Sequence, residues 1–278
     1  MGAALEVVAG RVTAPGATVT ALTANTGASF TVRNSPPAFD IRLITMWAKV
    51  NVAGVFRIIS PRLHDNVQGI RMQTSTGAAV PALPYRPIQR LYAQDALAPA
   101  ISGSGVAGNI ELGFFLVYYQ NLEGVNARFI DPVALMNRGV NILGVEVDTT
   151  PGVTGDWSGA SALNKTFDNL KANVDYAVLG ATVSANCGGV GITGADTGNL
   201  RLGIPGEISL PFVAEEWFVR LSRDSGIPLI PVINSANKGG TTIDIAQDQG
   251  GAAVNVSLIL VELAPGGAPS PTARPLGA

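Results

Sequence analysis

The sequence has a single cysteine, Cys187, and a single histidine, His64, among 278 residues. One cysteine excludes a disulfide within the chain. Cys187 lies in a β-like run and reads as a small buried apolar side chain. One histidine cannot build a multi-histidine metal centre, and no His/Cys cluster replaces it. That argues against metal-dependent β-barrel enzymes, which draw several ligands from their strands. His64, in Pro61-Arg62-Leu63-His64-Asp65-Asn66, reads as a solvated loop residue; with Asp65 it would supply half of an acid–base pair.

Charge is scarce as well. Only 14% of residues are charged, against about a quarter in an ordinary soluble domain, and the mean hydropathy is +0.30. Such a chain either enters a membrane or buries much of its surface against other chains. The strongest apolar stretches, Leu112–Tyr119 and Val254–Leu263, fall short of the roughly 20 residues of a spanning helix. Their length and their β-branched and aromatic content suit buried strands. Burial within an assembly is therefore the preferred reading; a compositional bias toward glycine and alanine is the alternative. The net charge is −2 and no basic patch emerges, so sequence-specific nucleic-acid binding is not expected. Met1-Gly2-Ala3-Ala4-Leu5-Glu6 lacks the features of a signal peptide and of a myristoylation signal.

Catalytic signatures are missing too. Gly103–Gly108 and Gly189–Gly194 match the glycine spacing of dinucleotide sites, but strand-like sequence follows both where a helix is required. No phosphate-binding loop and no nucleophile elbow is present. Asp148 and Asp156 flank a glycine-rich loop that could offer oxygen ligands to calcium, without the alternating spacing of a dedicated loop. Glu215 and Glu216 are adjacent on a helix and point apart, a poor glycosidase pair. Asn164-Lys165-Thr166 and Asn255-Val256-Ser257 match the glycosylation pattern without a secretion signal to support them. Trp47 and Trp217 sit in apolar settings and read as core, whereas Trp157, in Gly155-Asp156-Trp157-Ser158-Gly159, reads as a loop residue and a candidate contact anchor. No catalytic, cofactor-binding or metal-binding residue is assigned, and the chain is expected not to be an enzyme.

What the sequence does contain is itself, twice. Val12–Gly16 resembles Val147–Gly152; Asp40–Val55 resembles Asp175–Val190 without a gap; Leu83-Pro84-Tyr85 resembles Leu210-Pro211-Phe212; Phe114–Tyr118 resembles Leu258–Glu262. The offsets are about 135, 135, 127 and 144 residues, and their order is kept, as in a tandem duplication. The copies would span residues 1–128 and 129–265, with a Pro/Gly-rich tail, 266–278, expected to be disordered. Each copy holds several strand-like runs divided by turns such as Pro15-Gly16, Asn25-Thr26-Gly27 and Pro151-Gly152, which predicts an all-β sandwich. Each also offers one short helix. In the first, Ile88, Leu91 and Tyr92 follow Pro87 at helical spacing; in the second, Val213, Trp217 and Leu221 recur every four residues before Gly226.

The paired blocks Asp40–Val55 and Asp175–Val190, the paired helix candidates and the paired closing strands resemble one family. It is the double-jelly-roll major capsid proteins of tailless icosahedral viruses, the adenovirus-type capsid lineage. The resemblance is architectural, spans about residues 1–265 and carries no diagnostic motif. It implies two tandem jelly rolls standing upright in the shell, homotrimers of pseudo-sixfold outline, contacts with other virion proteins, and in many members an enclosed membrane. It also implies a place in the virion after assembly in the host cytoplasm. Two other readings stay open: a different virion component such as a spike or fibre, and a tandem carbohydrate-binding protein using Trp157 and Tyr85.

Overall fold

The computed structural model describes residues 2–36, 38–63, 65–79, 81–82, 89–150, 152–163, 170–208, 211–248 and 253–265. His64, Tyr85, the Asn164-Lys165-Thr166 site and the expected disordered tail, 266–278, lie outside the described residues.

The first ten strands are β1 (Gly2–Thr13), β2 (Thr20–Ala21), β3 (Thr23–Ala24), β4 (Ile41–Lys49), β5 (Val55–Ile59), β6 (Ile70–Gln73), β7 (Pro81–Ala82), β8 (Gln89–Leu91), β9 (Ala98–Ile101) and β10 (Ile110–Leu122). They form two antiparallel sheets. One runs β1-β10-β4-β8, with β3 added beside β1 and β7 beside β4; the other runs β2-β9-β5-β6. After β11 (Phe129–Ile130) and helix α1 (Pro132–Arg138) the pattern returns with β12 (Gly139–Thr149), β13 (Trp157–Ala162), β14 (Asp175–Val183), β15 (Gly189–Thr193) and β16 (Leu202–Pro205). Helices α2 (Pro211–Glu215) and α3 (Trp217–Ser225) precede β17 (Ile230–Asn234), β18 (Thr242–Ala246) and β19 (Val254–Leu263). Their sheets run β12-β19-β14-β17, extended by β11, and β13-β18-β15-β16. With the eight principal strands of each half counted in chain order, both halves have the same two sheets, 1-8-3-6 and 2-7-4-5. That is the jelly-roll order, and the chain is two jelly rolls in tandem. The division read from the sequence, between residues 128 and 129, falls in the connection from β10 to β11.

The repeat extends to a local irregularity. Opposite β10, Leu116 pairs with Thr45 and Val117 with Leu43, leaving Ile44 as an extra residue in β4. Opposite β19, Val178 pairs with Leu260 and Gly180 with Ile259, leaving Leu179 as the extra residue in β14. Ile44 and Leu179 correspond in the aligned blocks, 135 residues apart. A bulge re-aims the side chains beyond it, and both rolls bend the same strand at the same place.

The second-roll helix forms over the predicted residues but in two pieces, α2 and α3, broken at Glu216: Val213, Trp217 and Leu221 are buried, and Gly226 ends α3 at φ 71°. The first-roll helix does not. Gln89–Leu91 is strand β8, paired antiparallel with Ile41–Leu43, and Ile88 lies outside the described residues. Three apolar residues span too little chain to separate a helix from a strand, and the ladder offered by β4 decides the matter. Helix α1 was not anticipated, although Asp131-Pro132 is a start signal: the Asp131 carboxylate accepts from the Ala134 amide at 2.7 Å and Pro132 takes the first helical position.

The core explains the unbroken apolar runs. Leu5, Val7 and Ala9 of β1 and Leu112, Phe114 and Leu116 of β10 join the core of the second roll. Ala4 and Val8, with Phe115, Val117 and Tyr119, fill the interior of the first. The β1-β10-β4-β8 sheet is thus covered on both faces, which removes the polar alternation of a half-exposed strand. Part of the apolar surplus is absorbed inside the chain, between the rolls.

Candidate interaction surfaces

The seam between the rolls is built around Trp47. Its indole N–H donates to the Gly188 carbonyl at 2.8 Å within the core. Its ring stacks on Phe114 with centroids 5.1 Å apart and meets Trp217 edge-on at 5.7 Å. Two glycines permit the approach. A Cβ on Gly188 would lie 2.7 Å from Leu112 Cδ1, and one on Gly203 would lie 2.6 Å from Val7 Cβ. At Gly203 the strands are close enough for the Val7 amide to donate to Arg201 O at 2.8 Å.

Several carboxylates around that centre are tied down. Asp156 accepts from the Thr26 amide and hydroxyl at 3.0 and 2.8 Å and from the Trp157 amide at 2.7 Å, with Arg11 Nη1 at 3.5 Å. Glu207 accepts the Ala79 amide at 2.9 Å, and Lys49 stands 3.8 Å from Asp248. These contacts fix orientation. In the first roll the turn after β1 bonds the turn before β10, Ala14 N to Asn109 O and Gly103 N to Gly16 O. Lys49–Asp248 and Arg11–Asp156 bring the corresponding turns of the second roll, before β19 and after β12, to the same end. The linker sits at the opposite end, where Arg128 bridges Asp175 at 3.0 Å and Asp196 at 3.2 Å. The rolls stand side by side, the same way up.

The residues singled out in the sequence distribute as follows. Trp47 and Trp217 are core, and Cys187 is fully buried. Trp157 is not a loop residue. It opens β13, is 8% exposed, lies under the Arg201 guanidinium at 4.8 Å and meets Phe114 edge-on. It offers no face to a sugar or a partner. Polar sequence neighbours gave it the look of a loop, while its cover comes from distant strands. Asp148 and Asp156 do not converge: Asp148 accepts from Asn255 Nδ2 at 2.9 Å, and Asp156 serves the seam. Among the described residues no group of three metal-ligating side chains occurs. In Gly103–Gly108 the Ser104 amide donates to buried Glu111 at 2.7 Å, so the chain's own carboxylate occupies that turn. Gly189–Thr193 is a strand in mid-sheet. Glu215 and Glu216 fall at the break between α2 and α3.

Among the described residues, two surface regions combine exposed charge with exposed apolar side chains. On the first roll Arg57 and Arg71 face each other across β5 and β6. Arg57 Nη1 donates to Val67 O at 3.2 Å and Arg71 Nη1 to Gln68 Oε1 at 3.2 Å. Arg62 and Arg90 both lie over the ring of Tyr92, at 5.7 and 5.8 Å, beside a groove of about 460 Å³. Val67 and Tyr92 are 68% and 40% exposed. On the second roll α1 buries none of its residues. The chain runs from it into β12, whose exposed side carries Ile142, Gly144, Glu146 and Asp148. Val133, Met136 and Ile142 are at least two-thirds exposed.

The charge is divided between the halves. Residues 1–128 hold ten cationic and six acidic side chains, net +4; residues 129–265 hold seven and fourteen, net −7; Arg274 completes the overall −2. The small net charge of the whole conceals both. From 50 to 94 there are five arginines and one carboxylate, Asp65.

No family model matches the chain, and no curated protein does. Among solved structures the chain is similar to the PBSX exported protein XepA, at 9% identity and TM-score 0.26, over 92% of this chain and 86% of that one. It is similar to the major capsid protein P2 of bacteriophage PM2, at 7% identity and TM-score 0.23, over 95% and 99%. The T=1 Penaeus vannamei nodavirus matches at 13% identity and TM-score 0.24, over 94% and 98%. Likenesses this distant assign no function; the fold rests on the strand order of the two rolls.

Proposed function

We propose that the chain is a structural subunit of a viral shell, a major capsid protein of the double-jelly-roll kind that assembles as trimers of pseudo-sixfold outline. One observation carries the reading. Two rolls of identical strand order stand side by side, the same way up, locked by a shared core. Such a pair is a rigid tile that presents two similar units to its surroundings, so three copies would offer six. Sandwich cores are close-packed and resist deformation, which suits a wall rather than a moving catalyst. The carboxylates that could serve chemistry are spent instead on structure: Glu111, Asp156 and Glu207 are buried and hydrogen-bonded to the backbone. On this reading the partners are further copies, other virion proteins and, in a membrane-containing virion, the lipid beneath, and the chain catalyses nothing.

The test is negative-stain electron microscopy of the purified chain. Trimeric particles of six-lobed outline that pack into hexagonal arrays are expected. Uniform monomers over a wide concentration range would overturn the proposal, and trimers that never form arrays would favour a spike or fibre.

A further inference from the structure

We infer that these two charged and apolar surfaces are partners: the arginine flank of one copy's first roll meets the α1–β12 edge of the next copy's second roll. This rests on the shell-subunit reading and names the contact by which its copies join.

Chemistry and charge both match. Arg57, Arg62 and Arg71 make no ion pair with a carboxylate among the described residues; Arg57 and Arg71 donate instead to the neutral Val67 carbonyl and Gln68 amide oxygen. On the other surface Glu146 has no cation beside it among the described residues, and Asp148 projects from the same side of β12. Each surface joins its charge to exposed apolar side chains, Val67 and Tyr92 on the first, Val133, Met136 and Ile142 on the second. An apolar centre with a charged rim is how protein interfaces are built, and opposite potentials set register and partner choice. Strand β12 pairs only with β19 among the described residues, and an open edge of that length invites a neighbour unless it is covered. The net +4 and −7 of the two halves give the contact its direction, since like rolls repel and unlike rolls attract. Two different patches make the contact heterologous, and repeated by rotation it closes into a ring in which first and second rolls alternate.

The experiment is sedimentation velocity on the full chain at 50 and 500 mM NaCl, with Arg71→Glu, Glu146→Lys and the double variant. The exposed positions tolerate substitution, and thermal melts check that each variant folds; Arg71→Gln and Glu146→Gln replace any that does not. Wild-type association is expected to weaken about tenfold at the higher salt, where exposed charges are screened. Each single reversal is expected to weaken it by about tenfold or more at low salt. The double reversal, which exchanges the signs, is expected to restore most of it. A wild-type oligomer indifferent to salt and to both reversals overturns this inference alone, and so does a double variant as weak as the singles. A wild type monomeric at every concentration overturns the shell-subunit reading with it.

Discussion

Burial pushes the thiol of Cys187 up to about 12, and its Sγ donates to the Gly189 carbonyl, at 3.7 Å. A thiol so placed carries almost no thiolate at neutral pH, and thiolate is the reactive form. The native chain is expected to resist iodoacetamide at pH 8 and to react fully once unfolded in urea; mass spectrometry of the quenched mixture measures both. Rapid native labelling would mean that the seam opens around Cys187. At this scale the sequence was legible where a residue's neighbours share its environment. Trp47 lies in an apolar run, Trp217 falls on the apolar stripe with Val213 and Leu221, and both are core; Cys187, expected in a β-like run, is buried in the connection between β14 and β15. Trp157 lies among Gly155, Asp156, Ser158 and Gly159, and what hides it, Phe114 and Arg201, is supplied by other strands.

Asp244 of β18 illustrates how strands set the chemistry of a side chain. It sits opposite Gly191 in β15, and Arg201, just before β16, reaches it at 2.8 Å. Burial raises its pKa and the arginine only partly offsets this; Oδ1 is buried without a hydrogen-bond partner. A carboxyl whose pKa is raised by folding binds its proton more tightly in the native state, so its contribution to stability is full below the free-chain value, about 4. The contribution is lost as pH rises through the folded value. Asp244→Asn does not titrate. The stability difference between wild type and this variant is therefore expected to move against the wild type from about pH 4 upward and then level off. Urea melts of both from pH 3.5 to 7.5 measure it, and a constant difference would show that Asp244 keeps its free-chain pKa. The long elements were the readable ones: β10 and β19 announced themselves as apolar runs, and the Asp40–Val55 repeat marked β4 and β14 as equivalent down to the shared bulge. Short ones were not. Three apolar residues around Leu91 could not say helix or strand, and α1, with no buried residue, had no apolar stripe to reveal it.

For the whole molecule, the seam decides whether two rolls behave as one body. The low charge of the sequence pointed outward, to other chains, but much of the apolar surface it left over is used inward. The core of the second roll includes Leu5, Val7, Ile44, Trp47 and Leu116 of the first. No reading of composition could divide that surplus between an internal seam and an external interface, because both demand the same residues. The division becomes measurable in unfolding. Rolls that share a core should melt together, in one calorimetric transition whose enthalpy matches the value from its temperature dependence. Trp47→Ala removes the stacked and edge-on rings and the bond to Gly188 at once, and should cost about 3–5 kcal/mol. It acts on the coupling more than on either roll, because Phe114 and Trp217 each keep neighbours within their own strands and helix. The variant is therefore expected to split the transition in two, with each roll melting by itself. A wild type that already melts in two steps would show that the seam does not hold the two rolls together as one cooperative unit.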